Sequence, residues 1–135
     1  MSHVAFVSLL VRDYDDAIAY FTQLLGFTLI SDTPVPEEPD KRWVLVAPSG
    51  ARETRILLMK PTNLEQQARI RDQTGGRVAF FLHTDDFRRD YMAFRDRGVM
   101  FLEEPRIESY GMVAVFQDLY GNKWDLLELK PEERR

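Results

Sequence analysis

Two stretches decide the reading: Val11-Arg12-Asp13-Tyr14-Asp15-Asp16-Ala17-Ile18-Ala19-Tyr20-Phe21-Thr22-Gln23-Leu24-Leu25-Gly26-Phe27 and Asp85-Asp86-Phe87-Arg88-Arg89-Asp90-Tyr91-Met92-Ala93-Phe94-Arg95-Asp96-Arg97-Gly98-Val99. In the first, Tyr14, Ala17, Ile18, Phe21, Leu24 and Leu25 recur at helical spacing on one face. Asp13 is placed to cap that helix, Asp15 and Asp16 favour the positive end of its dipole, and Gly26 suits a left-handed C-terminal residue. In the second, Phe87, Tyr91 and Phe94 mark the apolar stripe and Gly98 closes the helix. Laying Asp13 on Asp86 sets Tyr14 on Phe87, Ile18 on Tyr91 and Phe21 on Phe94. Such a superposition of caps, stripes and closing glycines predicts an internal duplication.

Outward from the helices, the same order of elements recurs. Val4 to Val11 is apolar and reads as a buried strand; Val78 to Thr84 is its counterpart. After the first helix come Phe27 to Ile30, a segment from Ser31 to Lys41 read as loop or edge because it holds Pro34, Pro36 and Pro39, then Arg42 to Ala47 and Thr54 to Lys60 around a turn at Pro48-Ser49-Gly50. After the second come Val99 to Leu102, a loop with Pro105, Gly111 to Gln117, a turn over Asp118-Leu119-Tyr120-Gly121-Asn122, and Lys123 to Leu129. Between the halves, Thr62 and Glu65 have capping-box spacing for a short polar helix, and Thr74-Gly75-Gly76 breaks it. The expected fold is α+β, one domain over residues 1–135: a βαβββ module from about 3 to 61, a linker over 62–76 and a second module from about 77 to 130.

Composition narrows the classes of function. Of 135 residues, 44% are hydrophobic, enough to fill a core, and the net charge of −4 with scattered bases argues against nucleic acid. Only Arg134 and Arg135 cluster, closing an exposed tail. With no cysteine, disulfides and thiolate metal sites are excluded. No apolar run nears the roughly 18 residues that span a bilayer, and Met1 to Phe6 lacks the pattern of a signal peptide, so no membrane partner and a cytoplasmic location are expected. There is no G-x-S-x-G elbow and no phosphate-cradling glycine loop after a strand.

The runs Val11-Arg12-Asp13…Ala17…Tyr20-Phe21…Leu25-Gly26-Phe27 and Tyr110-Gly111…Val115-Phe116-Gln117-Asp118…Gly121-Asn122…Asp125-Leu126 resemble the vicinal oxygen chelate superfamily. Its members include glyoxalase I, bleomycin-resistance and fosfomycin-resistance proteins and extradiol dioxygenases. The family's Asp-Pro-Asp-Gly turn reads Asp118-Leu119-Tyr120-Gly121 here. The resemblance implies two βαβββ modules forming a curved, half-open barrel-like mixed sheet, helices on the outer face and a concave cavity within. It also implies a homodimer.

In metal-dependent members each module offers one ligand on its first strand and one on its last. The matching positions here are Phe6, Leu57, Ala79 and Asp125, so only Asp125 retains a donor. The expectation is therefore no metal and no other cofactor; a divalent metal ion is the alternative, held by a shifted set such as His83 and Asp125 or by a partner chain. His3 has the wrong strand parity, whereas His83 shares parity with Ala79 and Phe81 and stands either as a partly exposed strand-end histidine or as a ligand-binding or acid–base group. Asp125 shares a face with Leu127 and Leu129, opposite Trp124, Leu126 and Glu128; an acid so placed either binds something or bonds an adjacent strand. Phe6 and Trp43 are aromatic wall or core, Tyr110 a phenolic donor before Gly111, and Arg42 and Arg55 anion contacts or solvated edge charges. The acids Glu37, Glu38 and Asp40 read as a surface charge run.

Three functions fit. The first is binding or sequestration of a small organic molecule without a metal, as bleomycin-resistance proteins do. The second is a metal-dependent lyase of glyoxalase I type or a dioxygenase; the third is metal-free acid–base chemistry by Asp125, His83 or Tyr110.

Overall fold

The computed structural model describes residues 1–134; Arg135 lies outside the described residues. The chain forms two compact units, the first Met1–Gln73 and the second from Thr74 onward.

In the first unit the elements run β1 (Phe6–Leu10), α1 (Tyr14–Ala19), a π-helical turn (Tyr20–Leu24), β2 (Thr28–Val35), β3 (Glu38–Ala47), β4 (Arg55–Met59) and α2 (Leu64–Ala68). The sheet order is β1-β4-β3-β2, with β1 and β4 parallel and the other pairs antiparallel. Alternation sorts the side chains. Leu9, Val11, Val44, Val46, Ile56 and Leu58 are buried on one face, and the stripe of Tyr14, Ala17, Phe21 and Leu25 is buried too; α1 contacts β3 and β4. Each such side chain taken out of water contributes ~1.5–3 kcal/mol. Asp13 caps α1 by accepting from Asp16 N at 2.8 Å, and Gly26, at φ 72°, turns the chain out of the helical segment.

The second unit repeats the plan: β5 (Val78–His83), α3 (Phe87–Asp96), β6 (Met100–Phe101), β7 (Arg106–Glu108), β8 (Gly111–Gln117), β9 (Lys123–Leu129) and a 3-10 turn (Pro131–Glu133). Its order is β5-β9-β8-β6, again with first and last strands parallel, and β7 also pairs β8. Asp86 caps α3 through Arg89 N at 3.1 Å, as Asp13 caps α1. Phe87 and Phe94 are buried like Tyr14 and Phe21. Aromatic rings fill this core: Phe116 stacks on Trp124 at 5.7 Å and Phe94 meets Phe116 edge-on at 5.7 Å. The fold is mixed α+β with two sheets of four and five strands.

Several boundaries differ from expectation. Of the two readings of the proline-bearing segment after Ile30, loop or edge, the edge holds: β2 is the edge strand and passes through Pro34 because an edge strand tolerates a missing N–H. Arg42 consequently sits inside β3. Residues 106–108 form β7 where a loop was expected, and Val99–Leu102 contracts to the two residues of β6. The cap of α2 is Asn63, accepting from Gln66 N at 2.8 Å, while Thr62 donates its Oγ1 to Gln66 Oε1 at 3.0 Å. Arg134 is exposed as expected, with its Nε donating to the Leu129 carbonyl at 3.0 Å, and Arg135 lies outside the described residues.

Candidate functional site

Asp125 is the residue on which the site turns. It lies in β9 in register with Phe81 of β5 on one side and Val115 of β8 on the other. Trp124 and Leu126 of the same strand point into the aromatic core, almost completely buried. The period of two therefore sends Asp125 to the opposite face, beside Leu127 and the largely exposed Phe81. There Asp125 Oδ1 is buried and has no hydrogen-bond partner among the described residues. Burial pushes its carboxyl above the usual aspartate range; the Arg106 guanidinium works against that shift and Glu103 adds to it.

Arg106 and Glu103 stand where β6 gives way to β7. Leu102 N donates to the Val115 carbonyl at 2.8 Å, and Glu103 Oε2 accepts from Val115 N at 3.2 Å, filling the break in the ladder. Arg106 Nε donates to the same Glu103 oxygen at 2.8 Å, and its Nη1 lies 3.4 Å from Glu108. Tyr110 is within hydrogen-bond reach of Arg106. Glu103 and Arg106 were missed in the sequence because Pro105 between them reads as loop; their i,i+3 opposite charges are the only signal.

His83 is exposed at the end of β5, in register with Leu127, two pairs along from Asp125. It lines a recess of about 270 Å³ with Thr84, Asp85, Leu129 and Arg134. No hydrogen bond or ion pair joins it to Asp125.

In the first unit, Phe6 and Trp43 come together, ring centroids 5.7 Å apart and edge to face. Both are 40% exposed, so neither belongs to the buried core. Arg55 lies opposite Phe6 across β1 and β4 and is half-buried, not a solvated edge charge. Arg42 is spoken for: it forks onto Asp32 at 2.8 and 3.1 Å and reaches Asp15 of α1 at 2.9 Å. Its hydrogen bonds hold the Asp32 carboxyl below the usual range. Trp43 also lines a cavity of about 420 Å³ at the end of the sheet, with Leu10, Leu57 and Met59.

Of the four aligned ligand positions, only Asp125 carries a donor. Phe6 and Leu57 are hydrocarbon, and Leu57 faces Ser8 in the ladder. Ala79 falls in a bulge between Val78 and Phe80, so Phe81, not Ala79, stands beside Asp125. Among the described residues no group of three or more His, Asp or Glu side chains is placed to hold a metal. One carboxylate beside a phenylalanine does not fit a divalent ion.

The other buried carboxylate is structural. Asp118 accepts from Tyr120 N at 2.9 Å, Asn122 N at 3.1 Å, Asn122 Nδ2 and, at 3.0 Å, Trp124 Nε1. It locks the β8–β9 turn and so sets the register that delivers Asp125 to its face.

Comparison with known proteins agrees with this architecture. A protein of Shewanella frigidimarina (strain NCIMB 400), itself uncharacterized, is 46% identical over 96% of both chains. The crystal structure of UcmS2 superposes with a TM-score of 0.81 at 32% identity, covering 94% of this chain and 98% of that one. TnmS3, an antibiotic binding protein from Streptomyces sp. CB03234, gives 0.74 at 29% identity, over 96% and 98% of the two chains. Residues 1–126 match the family model for the Glyoxalase/Bleomycin resistance protein/Dioxygenase superfamily, and to that superfamily the chain belongs.

Proposed function

We propose that this protein binds a small organic molecule and holds it without a metal, Asp125 being the polar anchor. The observation that carries the reading is the buried Asp125 Oδ1 with no partner. An unmet buried acceptor costs ~1–3 kcal/mol, so such a group is retained where a ligand supplies the donor. Its neighbours Phe81, Val115 and Leu127 are apolar. The fitting ligand therefore has an apolar body and one hydroxyl, amide N–H or amine directed at Asp125. The likeness to an antibiotic binding protein supports binding over turnover.

Native mass spectrometry of protein purified without chelator tests this. The expected spectrum shows no stoichiometric metal, and a retained organic mass where the natural ligand co-purifies. A divalent ion bound at one per chain would overturn the reading. The same spectrum gives subunit number, for which the family resemblance supports a homodimer. For a ligand so identified, Asp125→Leu is expected to weaken binding about 10- to 100-fold, the range of a hydrogen bond to a charged group.

A further inference from the structure

The cavity at the end of the first sheet has a chemistry of its own. Its walls are Leu10, Leu57, Met59 and the indole of Trp43, and it is also lined by the buried Tyr14 and the half-buried Lys60. Its volume of about 420 Å³ lies within the range of small-ligand sites. Three cations border it, but two are already matched. Arg42 is held by Asp32 and Asp15, and Lys41 is paired with Glu38 at 3.0 Å. Lys60 is half-buried and has no ion pair among the described residues; its Nζ lies 5.9 Å from the Tyr14 ring centroid. Arg42 stands over the same ring at 5.2 Å. The Tyr14 hydroxyl has no hydrogen-bond partner among the described residues.

We propose that this cavity binds a planar aromatic monocarboxylate, its ring against Trp43 and its carboxylate on Lys60 Nζ. A flat apolar ring matches the part-exposed indole and aliphatic walls. One unmatched ammonium answers one negative charge, and a doubly charged phosphate would bring a second charge into an apolar cavity without a partner. The Tyr14 hydroxyl is available as a donor to the same carboxylate. The site belongs wholly to the first unit and does not depend on Asp125.

Calorimetric titration with 2-naphthoate and with the uncharged 2-naphthalenemethanol tests the proposal. Naphthoate is expected to bind one per chain and at least about tenfold more tightly than the alcohol, the effect of a charge-assisted bond. Lys60→Met removes that preference and Lys60→Arg keeps it; Lys130→Met, which deletes an exposed lysine of the second unit, leaves it intact. Trp43→Ala weakens both compounds. Equal binding of the two compounds, a preference that survives Lys60→Met, or no binding of either would overturn the proposal. Circular dichroism of each variant confirms that a loss is not unfolding.

Discussion

Replacing Asp125 by leucine should make the ligand-free protein more stable while removing its binding. In the native chain, Asp125 Oδ1 is buried without a partner, a condition that costs ~1–3 kcal/mol. Leucine ends that cost and adds apolar contact with Val115 and Leu127, its neighbours in β8 and β9. The loss is the attraction to Arg106, whose part-exposed guanidinium keeps Glu103 and Glu108 as partners; solvent screening limits such an attraction to ~0.2–1 kcal/mol. The net gain is about 1 kcal/mol, or ~3–5 °C in Tm for a chain of this length. Differential scanning calorimetry at pH 7 measures it. The sign also depends on pH. A carboxyl whose folded-state pKa is raised contributes stability below its unfolded value and loses it as pH rises through the folded one. The advantage of Asp125→Leu should therefore be smallest below about pH 4 and reach a plateau above the raised value. A destabilisation of about 1 kcal/mol or more at pH 7 would refute the reasoning, because it would mean that Asp125 is a structural partner and not an unmet one.

Three other substitutions test the frame around that site. Asp118→Ala strands buried donors of Tyr120, Asn122 and Trp124, and urea unfolding should show a loss of ~3–5 kcal/mol. Gly111→Ala places a Cβ, at φ 153°, into the carbonyl oxygen of Glu128 in the adjacent strand, and should lower Tm by the equivalent of ~2–3 kcal/mol or abolish soluble expression. Arg42→Met deletes the tie between α1, β2 and β3 and should cost ~1–2 kcal/mol at pH 7 by thermal melting. Since Arg42 lowers the Asp32 pKa, this contribution is present above the unfolded value and disappears as pH falls through the lowered one, so the two melting curves should converge in acid below about pH 4.

Local physics explains what was legible in the sequence. Asp13 was readable as a cap because a cap bonds a backbone N–H three residues on, and Asp86, on which Asp13 was laid, turns out to do the same. The alternation of Lys123–Leu129 was enough to set Asp125 against the face of Trp124. What escaped was non-local. The bulge that removes Ala79 from register depends on the pairing of β5 with β9, and β7 becomes a strand only because β8 is there to receive it. Asp118 looked like an ordinary turn acid; nothing in its neighbourhood announces that its carboxylate also holds the indole of Trp124. The unmet state of Asp125 is likewise invisible until every nearby donor is placed.

The parallel pairing of the first and last strands in each unit has a consequence for how the chain acquires its structure. Among the described residues β1 takes its only ladder partner from β4, roughly fifty residues further on, and β5 waits similarly for β9. Closing such a span precedes any reward from the ladder, which slows folding relative to chains dominated by neighbouring contacts. During synthesis, the Phe6–Leu10 segment emerges apolar and unpaired and remains so until residues 55–59 follow it. A fragment ending after the β2–β3 hairpin would therefore expose that first strand to self-association.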